Sequence, residues 1–195
     1  MVTNSTIKGP SLRFSNNFGD FRLTNSNFDH TVQVTNNWYL NVRGCNFDFV
    51  EPSQESAIKA YDTHLNVEKV GNADLTTFTN CGKGVEFVSS SAQSCRVSDA
   101  TFHDVLSGVD AKSVAGFLSV NDCTIDLRDT QAGASNFGEG IAIENFIDFE
   151  VYNNTIEGGP PSIGATGILI SQNGLNDNPN LVVNNEISNV IRGID

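Results

Sequence analysis

Long apolar runs are missing from this chain, and so is basic charge. No stretch approaches the roughly 20 apolar residues that a membrane-spanning helix needs, so insertion into a membrane is not expected. Eleven Lys and Arg against 23 Asp and Glu leave a net charge of −12. That balance repels a phosphate backbone and offers no basic stripe to hold one, which excludes nucleic acid as an expected partner. Cysteine is scarce and unpatterned: Cys45, Cys81, Cys95 and Cys123 have no CxxC spacing, and none of His30, His64 and His103 stands where it would complete a zinc site. The histidines share no spacing among themselves either, so neither a metal triad nor a Ser-His-Asp set can be argued. The opening Met-Val-Thr-Asn-Ser-Thr lacks the basic and apolar regions of a secretory leader, which implies an intracellular protein or a segment of a longer one.

What the chain does have is Asn, Ser, Thr and Gly in quantity, and 13 Phe beside one Trp and one Met. Long amphipathic helices are not built from that alphabet, whereas strands and tight turns are. The 38% hydrophobic content suffices for the core of one domain.

Laid against itself, the chain repeats a phrase in which an apolar residue is followed five positions later by Phe or Ile. The pairs are Leu23 and Phe28, Val42 and Phe47, Ala73 and Phe78, Val97 and Phe102, Val120 and Ile125, Val151 and Ile156, and Val182 and Ile187. Between them recurs a glycine followed by apolar, any, apolar, as in Gly84-Val85-Glu86-Phe87, Gly108-Val109-Asp110-Ala111, Gly140-Ile141-Ala142-Ile143 and Gly167-Ile168-Leu169-Ile170. Alternation with period two means strand. Two residues after each first apolar position stand Asn25, Gly44, Leu75, Asp99, Asp122, Asn153 and Asn184. All but Leu75 tolerate the left-handed backbone of a tight corner. The next column, Ser26, Cys45, Thr76, Ala100, Cys123, Asn154 and Asn185, is small or amide throughout. Cys45 and Cys123 share it about 14 Å apart at a strand spacing of about 4.8 Å, too far for a disulfide. Cys81 and Cys95 fall in adjacent coils but different columns, so all four cysteines read as core thiols.

The phrases Val151-Tyr-Asn-Asn-Thr-Ile156 with Gly167-Ile168-Leu169-Ile170, and Val182-Val-Asn-Asn-Glu-Ile187 with Gly193-Ile194, resemble the right-handed parallel β-helix repeat of pectate lyases, polygalacturonases, chondroitinase-type lyases and phage tailspikes. The resemblance runs over roughly residues 12–195. It implies an all-β, right-handed parallel β-helix of about seven coils with few or no helices. Residues 1–11 would be a lead-in or first partial coil, and the solenoid would continue past residue 195. A leucine-rich repeat fits Phe146, Phe149, Val151, Asn154 and Ile156. It does not fit the Gly-led strands or the 31-residue intervals from Phe47 to Phe78 and Ile125 to Ile156. The family resemblance implies contact with polysaccharide or a cell-surface glycan, and an extracellular or cell-surface location. The N-T-D, D-D, G-H-G and R-I-K set of polygalacturonases and the W-x-D-H of pectate lyases are both missing.

Aligned on their glycines, the strands place Gln33, Lys59, Glu86, Asp110, Ala142 and Leu169 in one outward column and Thr35, Tyr61, Val88, Lys112, Glu144 and Ser171 in its neighbour. Lys59, Tyr61, Glu86, Asp110 and Lys112 therefore make the candidate catalytic face. A Lys or Tyr there would abstract the proton beside a uronate carboxylate in a lyase, or Glu86 and Asp110 would pair as acids in a hydrolase. The plainer reading is a solvated face on which charges pair across rungs, each pair worth about 0.2–1 kcal/mol. The column after each Phe or Ile holds Asp29, Asp48, Thr79, His103, Asp126, Glu157 and Ser188. There Asp29 with Asp48, and Asp126 with Glu157, are candidate Ca²⁺ ligands, with solvated turn acids as the plainer reading. No other cofactor is required. Loops at 51–56, 129–139 and 158–166 are expected to wall any groove. Three functions stay open: a scaffold or glycan-contacting segment beside neighbouring domains, a polysaccharide lyase or glycoside hydrolase, and a viral or phage fibre forming a homotrimer.

Overall fold

A computed structural model describes residues 1–9, 11–15, 19–36, 39–69, 71, 74–91, 93–113, 116–128, 138–159, 165–171 and 180–195. Among these, 24 strands and no helix occur, arranged as three parallel sheets of eight strands each. The chain visits the first, second and third sheet in turn, and each circuit stacks on the last, giving a parallel β-helix of eight rungs. The fifth rung shows the pattern, with strands Ser94–Ser98, Ala100–Val105 and Ser107–Ser113. There is one rung more than the repeat phrase counts, because Val2–Thr3, Thr6–Ile7 and Leu12–Ser15 pair with the strands of the second rung.

Period-two alternation turns one apolar column per sheet inward, and parallel pairing in register stacks like on like. Leu23, Val42, Val67, Val97, Val120 and Val151 line the first sheet in one unbroken ladder. Val32, Ile58, Val85, Val109, Ile141 and Ile168 do the same in the third. In the second sheet Phe28, Phe47, Phe78 and Phe102 stack ring on ring at centroid distances of 4.9, 5.1 and 4.7 Å. All are buried, and burying each Phe contributes about 2–3 kcal/mol before any stacking term. The fourth rung corrects the repeat: Val67, not Ala73, pairs with Val42 and Val97. Residues inserted after that strand displace the phrase, and Ala73 itself lies outside the described residues.

Among the described residues twelve non-glycine residues have positive φ, and each of these is Asn or Asp. They form three corner columns. Asn4, Asn25, Asp99, Asp122, Asn153 and Asn184, with Gly44, turn the first sheet into the second. Asn80 and Asn189 follow strands of the second sheet, Asp104 sits at the bulge near the end of the strand Ala100–Val105, and Asn36, Asp62 and Asn145 follow the third. Leu75 is absent from the set, and Gly71 takes a left-handed conformation earlier in that longer connection. A bulky side chain would be strained at these corners, whereas Asn and Asp accept them. Side-chain bonding up the stack is strongest one column further on. There buried Asn154 accepts from the Cys123 amide at 3.0 Å and donates to Val120 O and Asn185 Oδ1, both at 2.9 Å.

All four cysteines are free and buried, Cys81 and Cys95 included. Burial pushes the thiols of Cys81 and Cys123 up to about 12, and raises those of Cys45 and Cys95. A thiol-reactive chromophore should therefore label none of them in the native protein and all four after denaturation. Rapid native labelling of even one would show that the stack opens there.

Candidate functional site

The outer face of the third sheet has the register expected of it. Gln33, Lys59, Glu86, Asp110, Ala142 and Leu169 follow one another rung by rung, and so do Thr35, Tyr61, Val88, Lys112, Glu144 and Ser171. The charges in these two columns are paired. Lys59 lies 3.2 Å from Glu55 and 3.9 Å from Glu86, whose Oε2 also accepts from Ser56 Oγ at 2.6 Å. Lys112 meets Glu144 at 2.5 Å, and Lys83 closes on Asp110. Like charges on Glu86 and Asp110, which are direct register partners, are thereby each offset by a lysine.

Tyr61 and Lys83 are both shifted away from neutrality. Burial, then the adjacent Glu86 carboxylate, hold the Tyr61 phenol above its ordinary range. For Lys83, burial pulls the ammonium down, but its hydrogen bond and attraction to Asp110 outweigh that and leave it raised. A general base works best with a pKa close to the operating pH. One group is shifted the useful way for an acid: burial, then the Asp110 carboxylate, raise half-buried Glu139. Lys83 and Glu139 escape a search of the Gly-led phrase because each stands one place before it. The signal was there, since the residues preceding the glycine or its equivalent, Ser56, Lys83, Ser107, Glu139, Thr166 and Arg192, are polar in every rung from the third on.

A raised carboxyl binds its proton more tightly folded than unfolded, so ionised Glu139 weighs against the fold above its folded pKa and not below the ordinary value of 4.5. Glu139→Gln is accordingly expected to raise the melting temperature at pH 7 and to leave it unchanged at pH 4. An equal gain at both would remove ionisation as the cause.

The acidic column of the second sheet is broken into pairs. Asp48, Thr79 and His103 are in register, as are Asp126, Glu157 and Ser188, but a bulge between Phe102 and Val105 separates the two runs. Asp126 contacts His103 at 2.7 Å, and Asp29 contacts His30 at 2.5 Å, a hydrogen bond that lowers the Asp29 carboxyl. Among the described residues no three His, Cys, Asp or Glu side chains group as a metal site.

Beside this column runs an uncharged one that the search for charge passes over. Thr6, Asn27, Asn46, Thr77, Thr101, Thr124 and Thr155 stack outward in continuous register, closed by Glu186. Two concavities meet on its first four rungs. One, about 210 Å³, is bordered by Lys8, Asp29, Asp48 and Val50. The other, about 520 Å³, is bordered by Asn25, Gly44, Asp74 and Leu75. Asn27 and Asn46 belong to both. The walls come from connections of the third and fourth rungs, which hold Val50 86% exposed and Leu75 45% exposed. The loops at 129–139 and 158–166 fall largely outside the described residues, so the groove rests on the connections near Val50 and Leu75.

Compared with protein-family models, curated proteins and solved structures, the chain matches none. Function therefore has to be read from the groove and the charged face themselves.

Proposed function

We propose that this chain is a non-catalytic parallel β-helix module of a secreted or cell-surface protein, and that it contacts carbohydrate along the groove of its second sheet. The coil would wind right-handed, the sense that twisted parallel strands favour. The carrying observation is the pair of concavities meeting on Asn27 and Asn46. Asn amides and Thr hydroxyls both donate and accept, as sugar hydroxyls do. Stacked strands repeat such groups every 4.7–4.9 Å along the axis. The exposed side chains of Val50 and Leu75 supply apolar surface for the C–H faces of sugar rings. The charges of the third sheet fit a structural lattice, in which Lys59, Lys83 and Lys112 are each matched to a carboxylate on their own or a neighbouring rung.

Titrating the chain with a panel of soluble oligosaccharides tests this reading. Replacing Asn27 and Asn46 together with alanine should weaken the best binder about tenfold, as expected for two lost hydrogen bonds. Unchanged affinity would place binding elsewhere. One observation favours a second reading, a polysaccharide lyase or hydrolase. Glu139, raised by burial and by the Asp110 carboxylate, stands beside Asp110, which is held by Lys83, so two neighbouring carboxyls have unequal surroundings, as acid–base hydrolysis requires. New unsaturated or reducing ends from a polysaccharide, abolished by Asp110→Ala, would establish it in place of the scaffold.

A further inference from the structure

The chain's charge is unevenly distributed along the helix. Residues 1–47 hold four bases and two acids, whereas residues 48–195 hold seven bases and 21 acids. At the cationic end the outer face of the first sheet carries a third concavity, of about 250 Å³, lined by Met1, Thr3, Arg22, Thr24, Asn41 and Arg43. No carboxylate lines it. Arg22 pairs in register with Asn41, and Thr24 with both Thr3 and Arg43. The two guanidinium-bearing residues thus occupy one diagonal of a four-residue patch and a hydroxyl and an amide the other, with diagonal neighbours about 7–8 Å apart. Both arginine side chains are about half exposed; Arg22 has only a loose contact to Asp20 at 3.6 Å, whereas Arg43 is paired with Glu68 on the next rung, so an arriving oxyanion takes the place of Asp20 and shares Arg43 with Glu68.

This patch adjoins the proposed groove. Thr24 and Arg43 are followed directly by the corner residues Asn25 and Gly44, which border the larger concavity, and two residues later come Asn27 and Asn46 on its floor. We infer that Arg22 and Arg43 form a subsite for an oxyanionic substituent, a carboxylate or sulfate, on the glycan that the groove receives. Planar guanidinium groups take such oxyanions with two parallel hydrogen bonds. Thr3, Thr24 and Asn41 can hydrogen-bond the oxygens left over. Elsewhere on this acidic protein the same substituent would be repelled.

This inference rests on the groove reading, and its experiment separates the two. The full chain is titrated with a neutral oligosaccharide, with its uronate and sulfated counterparts, and with inorganic sulfate alone. At least one charged form should bind roughly fivefold more tightly than the neutral one, an advantage that shrinks as salt is raised. Substituting Arg22→Gln and Arg43→Gln together should abolish the discrimination between charged and neutral forms. Equal binding of charged and neutral oligosaccharides overturns the subsite and leaves the groove standing. Discrimination that survives both substitutions also overturns it. Inorganic sulfate binding as tightly as the sulfated sugar would show an isolated anion site instead. Failure of every oligosaccharide to bind overturns the groove and the subsite with it.

Discussion

Gly140→Val is expected to destabilise the protein by about 3 kcal/mol, the upper end of the usual range for overpacking. A Cβ on Gly140 would lie 2.5 Å from the carbonyl oxygen of Gly167 in the next rung and 2.7 Å from Ile156 Cγ2. Neither neighbour can give way cheaply: one is backbone in a ladder, and the other is a fully buried core side chain. Gly84, Gly108 and Gly167 are in the same position, each facing the Phe or Ile of the following rung. The glycine of each Gly-led strand thus makes room for the aromatic or branched residue stacked above it. Gly193 is the internal control, because nothing stands within 4 Å of its added Cβ. Urea denaturation followed by circular dichroism should give Gly193→Val a midpoint close to the parent's and Gly140→Val a far lower one. Equal midpoints would mean that the column is not tightly packed.

Arg128→Ala is expected to cost about 2–4 kcal/mol, comparable to breaking a buried ion pair. The side chain is 13% exposed, and its guanidinium ties together four rungs. Its Nε donates to Asp104 Oδ1 at 3.3 Å, Nη1 to Ser53 O at 3.0 Å, and Nη2 to Cys81 O and Asp104 O at 3.3 and 2.8 Å. Removing it leaves three carbonyls and a carboxylate without this donor, and no small side chain replaces a planar five-donor fork. Arg128→Lys should recover only part of the loss. Hydrogen exchange offers a local check, since the segment around Ser53, beside the groove wall, should exchange faster in the variant. A melting temperature unchanged by Arg128→Ala would show that the staple adds nothing to the fold.

Much of the fold was legible because a β-helix writes its register into the sequence. A column must hold similar residues to stack, so Phe47 over Phe28 and Val120 over Val97 leave a visible rhythm. The corner at Asn25, Gly44, Asp99, Asp122, Asn153 and Asn184 was legible for the same reason. The other two corners were not, since loops of unequal length precede or follow Asn80, Asp104, Asn36 and Asp62. The inserted connection that brings Gly71 into the fourth rung also explains why Leu75 and Ala73 were misaligned.

On the charged face the sequence indicated which residues share a column but not their partners. Lys83 is tied to Asp110 and Lys59 to Glu55 because side-chain reach, which no spacing encodes, decides who meets whom. The groove was hidden for a different reason. Asn27 and Asn46 carry no charge, and the concavities around them depend on Val50, Asp74 and Leu75, which lie in connections outside the repeat.

The most direct test is to map amide and side-chain NH₂ resonances while adding the oligosaccharide that binds best. Carbohydrate contact along the second sheet predicts shifts concentrated at Asn27, Asn46 and Thr77, with the ligand recovered intact. Shifts centred instead on Lys59, Tyr61, Glu86 and Asp110, with cleavage of the ligand, would contradict it.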